Sequence, residues 1–160
     1  MTLAALNGAP EEPARQALLA CCGSEAWVAR LLASRPFNDE AALHSRAQAL
    51  WFSLTPADWL EAFSKHPKIG EKSSSKWSAE EQSGMAQVNQ EMTDAMRRLN
   101  VEYERRFGWI FIVCATGKRA EEMRNLLEQR LSNDPATELQ TAAREQAAIM
   151  RLRLDKLLAE

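Results

Sequence analysis

Residues 78–106 read SAEEQSGMAQVNQEMTDAMRRLNVEYERR, and this stretch decides the fold. Apolar side chains recur every three or four residues along it and just beyond it: Met85, Val88, Met92, Met96, Leu99, Tyr103 and Phe107. That spacing places them on one face of an α-helix. We therefore predict one long helix from about residue 78 to residue 106, ended by Gly108, because glycine readily adopts the backbone conformation that terminates helices.

Helix signals continue on both sides of this stretch. Toward the N-terminus, helices are predicted to begin near four positions: Pro13, Ser24, Asn38-Asp39 and Thr55-Pro56. Ser, Asn, Asp and Thr side chains accept hydrogen bonds from the first free N–H groups of a helix. Toward the C-terminus, residues 119–131 and a last helix capped by Asp134-Pro135 are predicted. The inner face of that last helix is predicted to consist of Leu139, Ala142, Ala143, Ile149, Met150, Leu157 and Leu158.

Residues 109–115, WIFIVCA, are the exception to the helical pattern. These seven apolar residues are rich in β-branched and aromatic types, and periodicity alone allows an isolated extended segment or the buried start of the next helix. The sequence contains no second strand candidate, so a sheet is not expected. We predict an all-α fold, a single-domain helical bundle over residues 1–160 with one buried extended segment around 109–115.

Composition and charge favour a compact protein that binds small molecules or other proteins. With 160 residues, 46% of them apolar, the chain can bury about two thirds of its unfolded surface. The net charge of −2 gives no basic footprint for nucleic acid or an anionic membrane, and we interpret Arg97-Arg98 and Arg105-Arg106 as a solvated helix face. No apolar run approaches the ~20 residues of a membrane span, and no secretory signal pattern is recognised. A cytoplasmic protein is predicted.

The three cysteines give no sign of a metal site. Cys21 and Cys22 are adjacent, which is a poor geometry for a mutual disulfide, and Cys114 lies in the apolar run. No CxxC pair or nearby histidine supplies the spacing of a zinc site. We expect buried, reduced thiols, and neither a metal nor a cofactor.

One of the two histidines lies in a turn that favours a catalytic role. His66 precedes Pro67 in the sequence HPKIG, residues 66–70, and a proline pushes the residue before it away from the α region. The imidazole is therefore predicted to project from an extended corner instead of a helix flank. Imidazoles exchange protons near neutral pH, because their ordinary pKa is ~6.5. The other histidine, His44, is interpreted as a surface or cap-bonded side chain within a helix.

Glu81 and Gln82 add a carboxylate and a carboxamide near the start of the long helix. Together with His66 they form a candidate acid/base site. A second interpretation stays open, because Ser78-Ala79-Glu80-Glu81 also fits a capping box in which the Glu81 side chain bonds the backbone of Ser78.

Four short motifs stand in order along the chain. They are the His66-Pro67 turn, Ser78-x-x-Glu81-Gln82, residues 103–115, and Leu152-Arg153-Leu154. In this order the motifs resemble the family of 2-oxo-4-hydroxy-4-carboxy-5-ureidoimidazoline (OHCU) decarboxylases, and the resemblance covers roughly residues 10–158.

The resemblance implies an all-helical, cofactor-independent enzyme of uric acid degradation, often a homodimer, that converts OHCU to (S)-allantoin with loss of carbon dioxide. In OHCU the departing carboxylate lies next to a ring C=N bond, so the electrons left behind delocalise into the substrate itself. The family's chemistry thus gives a reason for expecting no cofactor.

The resemblance also implies roles for individual residues. His66 is expected to donate the proton, and Glu81 to bind the substrate and orient His66. Arg153 is expected to pair with the substrate carboxylate from the polar side of the last helix. The other expected substrate-binding residues are Pro67, Ser78, Ala79, Glu80, Gln82, Phe111, Val113, Cys114, Ala115, Thr116 and Gly117.

Two other functions are compatible with the residues. The methionines of residues 85–96 fit the partner-binding groove of a non-catalytic helical interaction module, because methionine lines adaptable surfaces. A cofactor-free hydrolase or isomerase of another ureido acid fits the same His/Glu pair, because the shape of a pocket, and not that pair, selects the substrate.

Overall fold

The computed structural model describes residues 1–67 and 90–160, which form eight α-helices. We number them in chain order as α1 Leu3–Gly8, α2 Glu11–Cys21, α3 Glu25–Ala33, α4 Glu40–Phe52, α5 Pro56–Ser64, α6 Gln90–Phe107, α7 Ala120–Arg130 and α8 Pro135–Ala159. Neither described range contains a strand, so the predicted all-α class is confirmed. Helix α1 is the one helix that the sequence pattern did not predict.

Polar side chains cap the helices at the predicted positions. Ser24 Oγ accepts a hydrogen bond from the N–H of Trp27 at 3.2 Å, and Asp39 caps α4 in the same way. At the start of α8, the hydroxyl and the backbone N–H of Thr137 both donate to Asp134. These two bonds lower the pKa of Asp134 below its ordinary value. Each cap satisfies N–H groups that a helix start leaves without partners.

Helix α6 carries five of the seven residues of the apolar stripe. Met96 and Tyr103 are 2% and 0% exposed, and Phe107 is buried beside them. They form one core cluster with Phe111, Val113, Met123 and Leu127. Gly108 ends the helix as predicted, with a φ of +88° that favours glycine. The part of the predicted helix over residues 78–89 lies outside the described residues.

Residues 109–118, which we call the connecting segment, link α6 to α7 without helix or strand. Helix α7 begins only at Ala120, so the alternative that the apolar run starts the next helix is wrong. Phe111, Ile112 and Val113 are buried, whereas Trp109 is half-buried. Burial is therefore deepest in the middle of the segment.

The chain divides into two compact units. The terminal unit comprises residues 1–62 and 146–160, and in it α2 packs against α3 and α3 against α4. The central unit comprises residues 63–145, and in it α6 packs against α7. The single domain over residues 1–160 stays a prediction. In the part of the chain that the structure describes, no helix is both long and apolar enough to cross a membrane.

His44 differs from its prediction. The side chain is 8% exposed, and its Nε2 lies 2.7 Å from Oδ1 of Asp155 in the terminal unit. The interpretation of a surface or cap-bonded histidine is therefore wrong. Its partner stands 111 positions later in the sequence, so no local pattern could indicate the contact.

The cysteines match their prediction only in part. Cys21 and Cys22 are buried and free, and their burial raises the pKa of each thiol to about 12. Cys114 likewise forms no disulfide, but it is only half-buried, because it lies where the connecting segment emerges from the core.

Candidate active site

Helix α5 positions His66 just beyond its C-terminal end. The helix ends at Ser64, and the backbone N–H of His66 donates to the carbonyl of Phe63 at 3.2 Å. His66 and Pro67 are half-buried and lie outside any helix. The expectation that His66 lies outside a helix flank is confirmed, whereas its extended backbone and its catalytic role stay predictions.

An aromatic contact joins the His66 turn to the connecting segment. The ring centroids of Phe63 and Trp109 lie 6.5 Å apart, with their planes tilted by 44°. Phe63 accepts the hydrogen bond from His66, and Trp109 begins the connecting segment. Two of the four sequence motifs therefore adjoin each other within the central unit.

Three charged side chains bind the backbone of the connecting segment. Arg130 Nη1 donates to the carbonyl of Ile112 at 2.7 Å. Glu145 Oε1 accepts from the N–H of Cys114 at 3.1 Å, and Lys118 Nζ donates to the carbonyl of Cys114 at 2.8 Å. Hydrogen bonds with one charged partner are roughly twice as strong as neutral ones. Side chains thus supply partners that a neighbouring strand supplies in a sheet.

A buried polar cluster lies beneath the segment. Arg130 and Glu138 are 6% and 0% exposed, and Arg130 Nε donates to Glu138 Oε2 at 2.8 Å. Nη2 of Arg130 approaches the same oxygen at 2.6 Å as an ion-pair contact without hydrogen-bond geometry. The hydroxyl of Tyr103 donates to Glu138 and accepts from Trp109 Nε1 at 3.0 Å. Burial first, and then the bond to Glu138, raise the pKa of Tyr103.

Phe111 faces this cluster with its ring. The residue is 4% exposed, the guanidinium of Arg130 lies 4.5 Å from its ring centroid, and the ring of Tyr103 meets it edge-on at 5.4 Å. Protein groups therefore cover most of Phe111, which the family resemblance implies to be a substrate-binding residue.

The rest of the predicted pocket wall becomes more exposed along the chain. Val113 is 7% exposed, Cys114 and Ala115 are half-buried, and Thr116 and Gly117 are exposed. Gly117 has a φ of +78°, and the turn closes with a bond of 3.0 Å from the N–H of Lys118 to the carbonyl of Ala115. Within this wall, solvent and solutes reach the residues around the turn most readily.

Arg153 lies on α8 in the terminal unit and is 7% exposed. The expectation that it projects from the polar side of the last helix is therefore wrong. Its Nη1 donates to the carbonyl of Ala20 at 3.5 Å, close to the C-terminal end of α2. The negative end of a helix dipole stabilises a cation there, which explains how the fold accommodates a buried guanidinium.

The other predicted site residues, Ser78, Ala79, Glu80, Glu81 and Gln82, lie outside the described residues. Both interpretations of Glu81, as a substrate ligand and as a capping residue, therefore stay open. Within residues 1–67 and 90–160, no group of three or more His, Cys, Asp or Glu side chains could hold a metal ion.

Sequence reasoning missed the charged side chains around the connecting segment. Arg130 contacts a carbonyl 18 positions away, and Glu145 contacts an N–H 31 positions away. In the sequence these residues look like ordinary members of helices. Glu138 lies in the first turn of α8, where an acidic residue commonly stabilises the helix dipole. The sequence alone therefore gives no sign that Glu138 pairs with a buried arginine. Only the folded contacts distinguish them.

The sequence profile of the OHCU decarboxylase family matches residues 7–155. The chain therefore belongs to the OHCU decarboxylase family, as its ordered motifs predict. The all-α fold, the His66 turn and the connecting segment are the parts of this family member described above.

Two curated relatives and one solved structure show how similar the chain is to known proteins. The "Uric acid degradation bifunctional protein TTL" of Arabidopsis thaliana is 37% identical over 149 residues, which are 88% of this chain and 46% of that protein. This chain thus spans less than half of that relative's length. A 2-oxo-4-hydroxy-4-carboxy-5-ureidoimidazoline decarboxylase of Haloferax volcanii is 27% identical, over 80% of this chain and 79% of the relative. A crystal structure of OHCU decarboxylase in the presence of (S)-allantoin superposes with a TM-score of 0.82 at 36% identity, covering 95% of this chain and 100% of that one.

Proposed function

We propose that this protein decarboxylates OHCU to (S)-allantoin in uric acid degradation, without a cofactor. One observation carries the proposal: the likeness to an OHCU decarboxylase crystallised in the presence of (S)-allantoin extends over 95% of this chain. An identity of 36% over that length supports a shared reaction as well as a shared fold.

The reaction needs three things from the protein. The bond between the ring carbon and the carboxylate breaks, carbon dioxide leaves, and the electron pair delocalises into the adjacent C=N bond. The carbon that loses the carboxylate keeps its oxygen and becomes a carbonyl of allantoin as its hydroxyl proton is released. A proton then adds to the neighbouring ring carbon, which bears the ureido group, and the face that receives it decides the chirality of the product. The protein must therefore orient the carboxylate, stabilise the developing negative charge, and deliver a proton to one face.

His66 is the proposed proton donor. Its half-buried position after α5 leaves part of the residue accessible, and the contact between Phe63 and Trp109 holds the end of α5 against the connecting segment. A general acid has to stand at one place relative to the reacting carbon, so a fixed turn suits this role. Pro67 and the residues around Thr116-Gly117 are the proposed neighbours of the substrate.

Three side chains are proposed to bind the substrate's polar groups. Glu81 accepts hydrogen bonds from the substrate and orients His66, and Gln82 binds the amide edge of the ring. Arg153 binds the carboxylate, since a guanidinium offers two parallel N–H groups in one plane.

We propose in addition that the protein acts in the cytoplasm as a homodimer. The family resemblance suggests the dimer, and the buried thiols of Cys21 and Cys22 fit a reducing compartment. Sedimentation of the purified protein tests the first point, and cell fractionation tests the second.

Chirality provides the test of the proposed reaction. OHCU is generated in situ with and without the protein, and the circular dichroism of the allantoin formed is followed with time. The proposal expects a rapid dichroic signal of (S)-allantoin with the protein and a racemic product without it. A product that stays racemic in the presence of folded protein overturns the proposal and favours a hydrolase or isomerase of another ureido acid.

The interaction-module alternative has no support in the described residues. Met96 is 2% exposed and belongs to the core cluster of the central unit, and Met92 packs against the same cluster. Methionines in a core are not available as a partner-binding groove.

A further inference from the structure

The backbone groups of the connecting segment are hydrogen-bonded although the segment belongs to neither a helix nor a sheet. It has no neighbouring strand in the described residues, so no ladder of hydrogen bonds aligns its peptide groups. Buried peptide groups require partners, and irregular segments usually find them in water or in scattered side chains. Here the partners follow a regular order.

Three consecutive peptide groups each bind one charged side chain. The group between residues 112 and 113 binds Arg130, the next binds Glu145, and the one after that binds Lys118. These bonds fix the orientation of each peptide plane between Ile112 and Ala115. The backbone of the segment is therefore hydrogen-bonded up to Ala115, just before the exposed turn.

The exposed turn follows immediately. Thr116 and Gly117 are exposed, and the bond from the N–H of Lys118 to the carbonyl of Ala115 closes the turn. Any rotation of the Cys114 peptide groups displaces this turn, because only one residue lies between them. The position of the proposed substrate contacts thus depends on the hydrogen bonds of Cys114.

We propose that Glu145 is a positioning residue for the decarboxylation, which it supports by fixing the Cys114 N–H and hence the turn at Thr116-Gly117. This inference rests on the proposed function. Glu145 acts through the backbone, and its own role requires no contact with the substrate. Displacement of a binding group by about 1 Å lowers turnover by up to ~10²-fold in other enzymes, so an effect of roughly 10- to 100-fold is expected here.

Substitution of Glu145 tests the inference better than substitution of Arg130. Arg130 is 6% exposed and pairs with Glu138, so its replacement disrupts the core. Glu145 is half-buried and can be replaced without opening the core cluster. Glutamine keeps an oxygen acceptor for the Cys114 N–H, whereas alanine removes it.

The experiment compares three variants with the wild-type protein. Glu145→Ala removes the acceptor, Glu145→Gln retains it, and Glu128→Ala serves as a matched control because it deletes a surface carboxylate that bonds Arg124 at 2.9 Å in the same unit. Exchange of the Cys114 amide hydrogen is followed by NMR. The values of kcat and KM on OHCU are measured by circular dichroism.

Glu145→Ala is expected to accelerate exchange of the Cys114 amide and to lower kcat/KM by roughly 10- to 100-fold. Glu145→Gln and Glu128→Ala are expected to stay within about threefold of the wild type. If the hydrogen bond to Cys114 does not matter, Glu145→Gln loses as much turnover as Glu145→Ala, and that result overturns the inference. Wild-type turnover that Glu145→Ala leaves unchanged also overturns it, whereas a wild-type protein without turnover overturns the proposed function instead.

Discussion

Arg130 and Glu138 form an ion pair that the core almost completely encloses. The two residues are 6% and 0% exposed, and the shortest distance between guanidinium and carboxylate is 2.6 Å. Each charge compensates the other in a setting almost closed to water. Additional bonds to Ile112 and Tyr103 tie this pair to the connecting segment and to helix α6.

Glu138→Gln is expected to lower the free energy of unfolding by about 3–5 kcal/mol, because it leaves the buried guanidinium of Arg130 without a counter-charge. Urea denaturation at neutral pH measures this loss. The control is Glu128→Gln, which breaks an exposed pair with Arg124 and should cost less than about 1 kcal/mol. Equal losses in the two variants would show that burial does not strengthen the central pair.

His66→Asn is expected to fold normally and to lower turnover of OHCU by ~10²–10⁴-fold, because asparagine cannot supply a proton as an imidazole does. The same substitution at His44 is a matched control. His44 lies in the terminal unit and bonds Asp155, so His44→Asn should lower the melting temperature but retain turnover. If His66→Asn yields optically active allantoin at the wild-type rate, His66 is not the donor.

Glu81→Gln distinguishes the two interpretations of Glu81. A capping role alone predicts a loss of no more than ~1–2 kcal/mol of stability with turnover retained. A substrate-binding role, which we propose, predicts that turnover collapses while the melting temperature changes little. Thermal denaturation and the dichroic assay, performed on the same sample, decide between these outcomes.

Arg153→Lys is expected to raise KM more than it lowers kcat, because a lysine gives a rotatable point charge where two parallel N–H groups are needed. The carboxylate charge disappears as the C–C bond breaks, so this contact matters most before the reaction. Since Arg153 is buried and bonds Ala20, some loss of stability is expected as well. Kinetics are therefore measured well below the melting temperature, and an unchanged KM would remove Arg153 from the binding site.

Alkaline pH is expected to destabilise the protein through its buried thiols. The pKa of Cys21 and of Cys22 is about 12 in the folded chain, above the ~8.5 of an unfolded thiol. Between these values the unfolded state loses protons that the folded state keeps, so unfolding becomes easier as the pH rises. The slope is at most about 1.4 kcal/mol per pH unit for each thiol. Urea denaturation between pH 8 and pH 10 should show a shallower decline in Cys21→Ala/Cys22→Ala, and parallel declines would contradict the assignment.

Local patterns in the sequence predicted most of the helices. The caps at Ser24 and Asp39 and the stop at Gly108 depend on contacts within one helical turn, so the sequence displays them directly. The His66 turn was predictable for the same reason, because proline restricts its neighbour.

The side chains that the sequence misplaced depend on distant partners. His44 bonds Asp155, and Arg153 bonds the carbonyl of Ala20 near the end of α2. Two of the charged contacts of the connecting segment, from Arg130 and Glu145, come from helices that the sequence treats separately. A helical period distinguishes apolar from polar faces, but it does not tell a solvated arginine from one that bonds a distant carbonyl.

The connecting segment also affects how the protein aggregates when it is heated. Its apolar, β-branched and aromatic residues around Phe111 have the composition of segments that stack into cross-β aggregates. In the folded chain the middle residues of the segment are buried. Arg130 and Glu145 also bond backbone groups that another chain would need for pairing. Once these bonds break on heating, the backbone of the segment is exposed and can pair with another chain. We therefore expect heat inactivation to end in aggregation that begins at this segment.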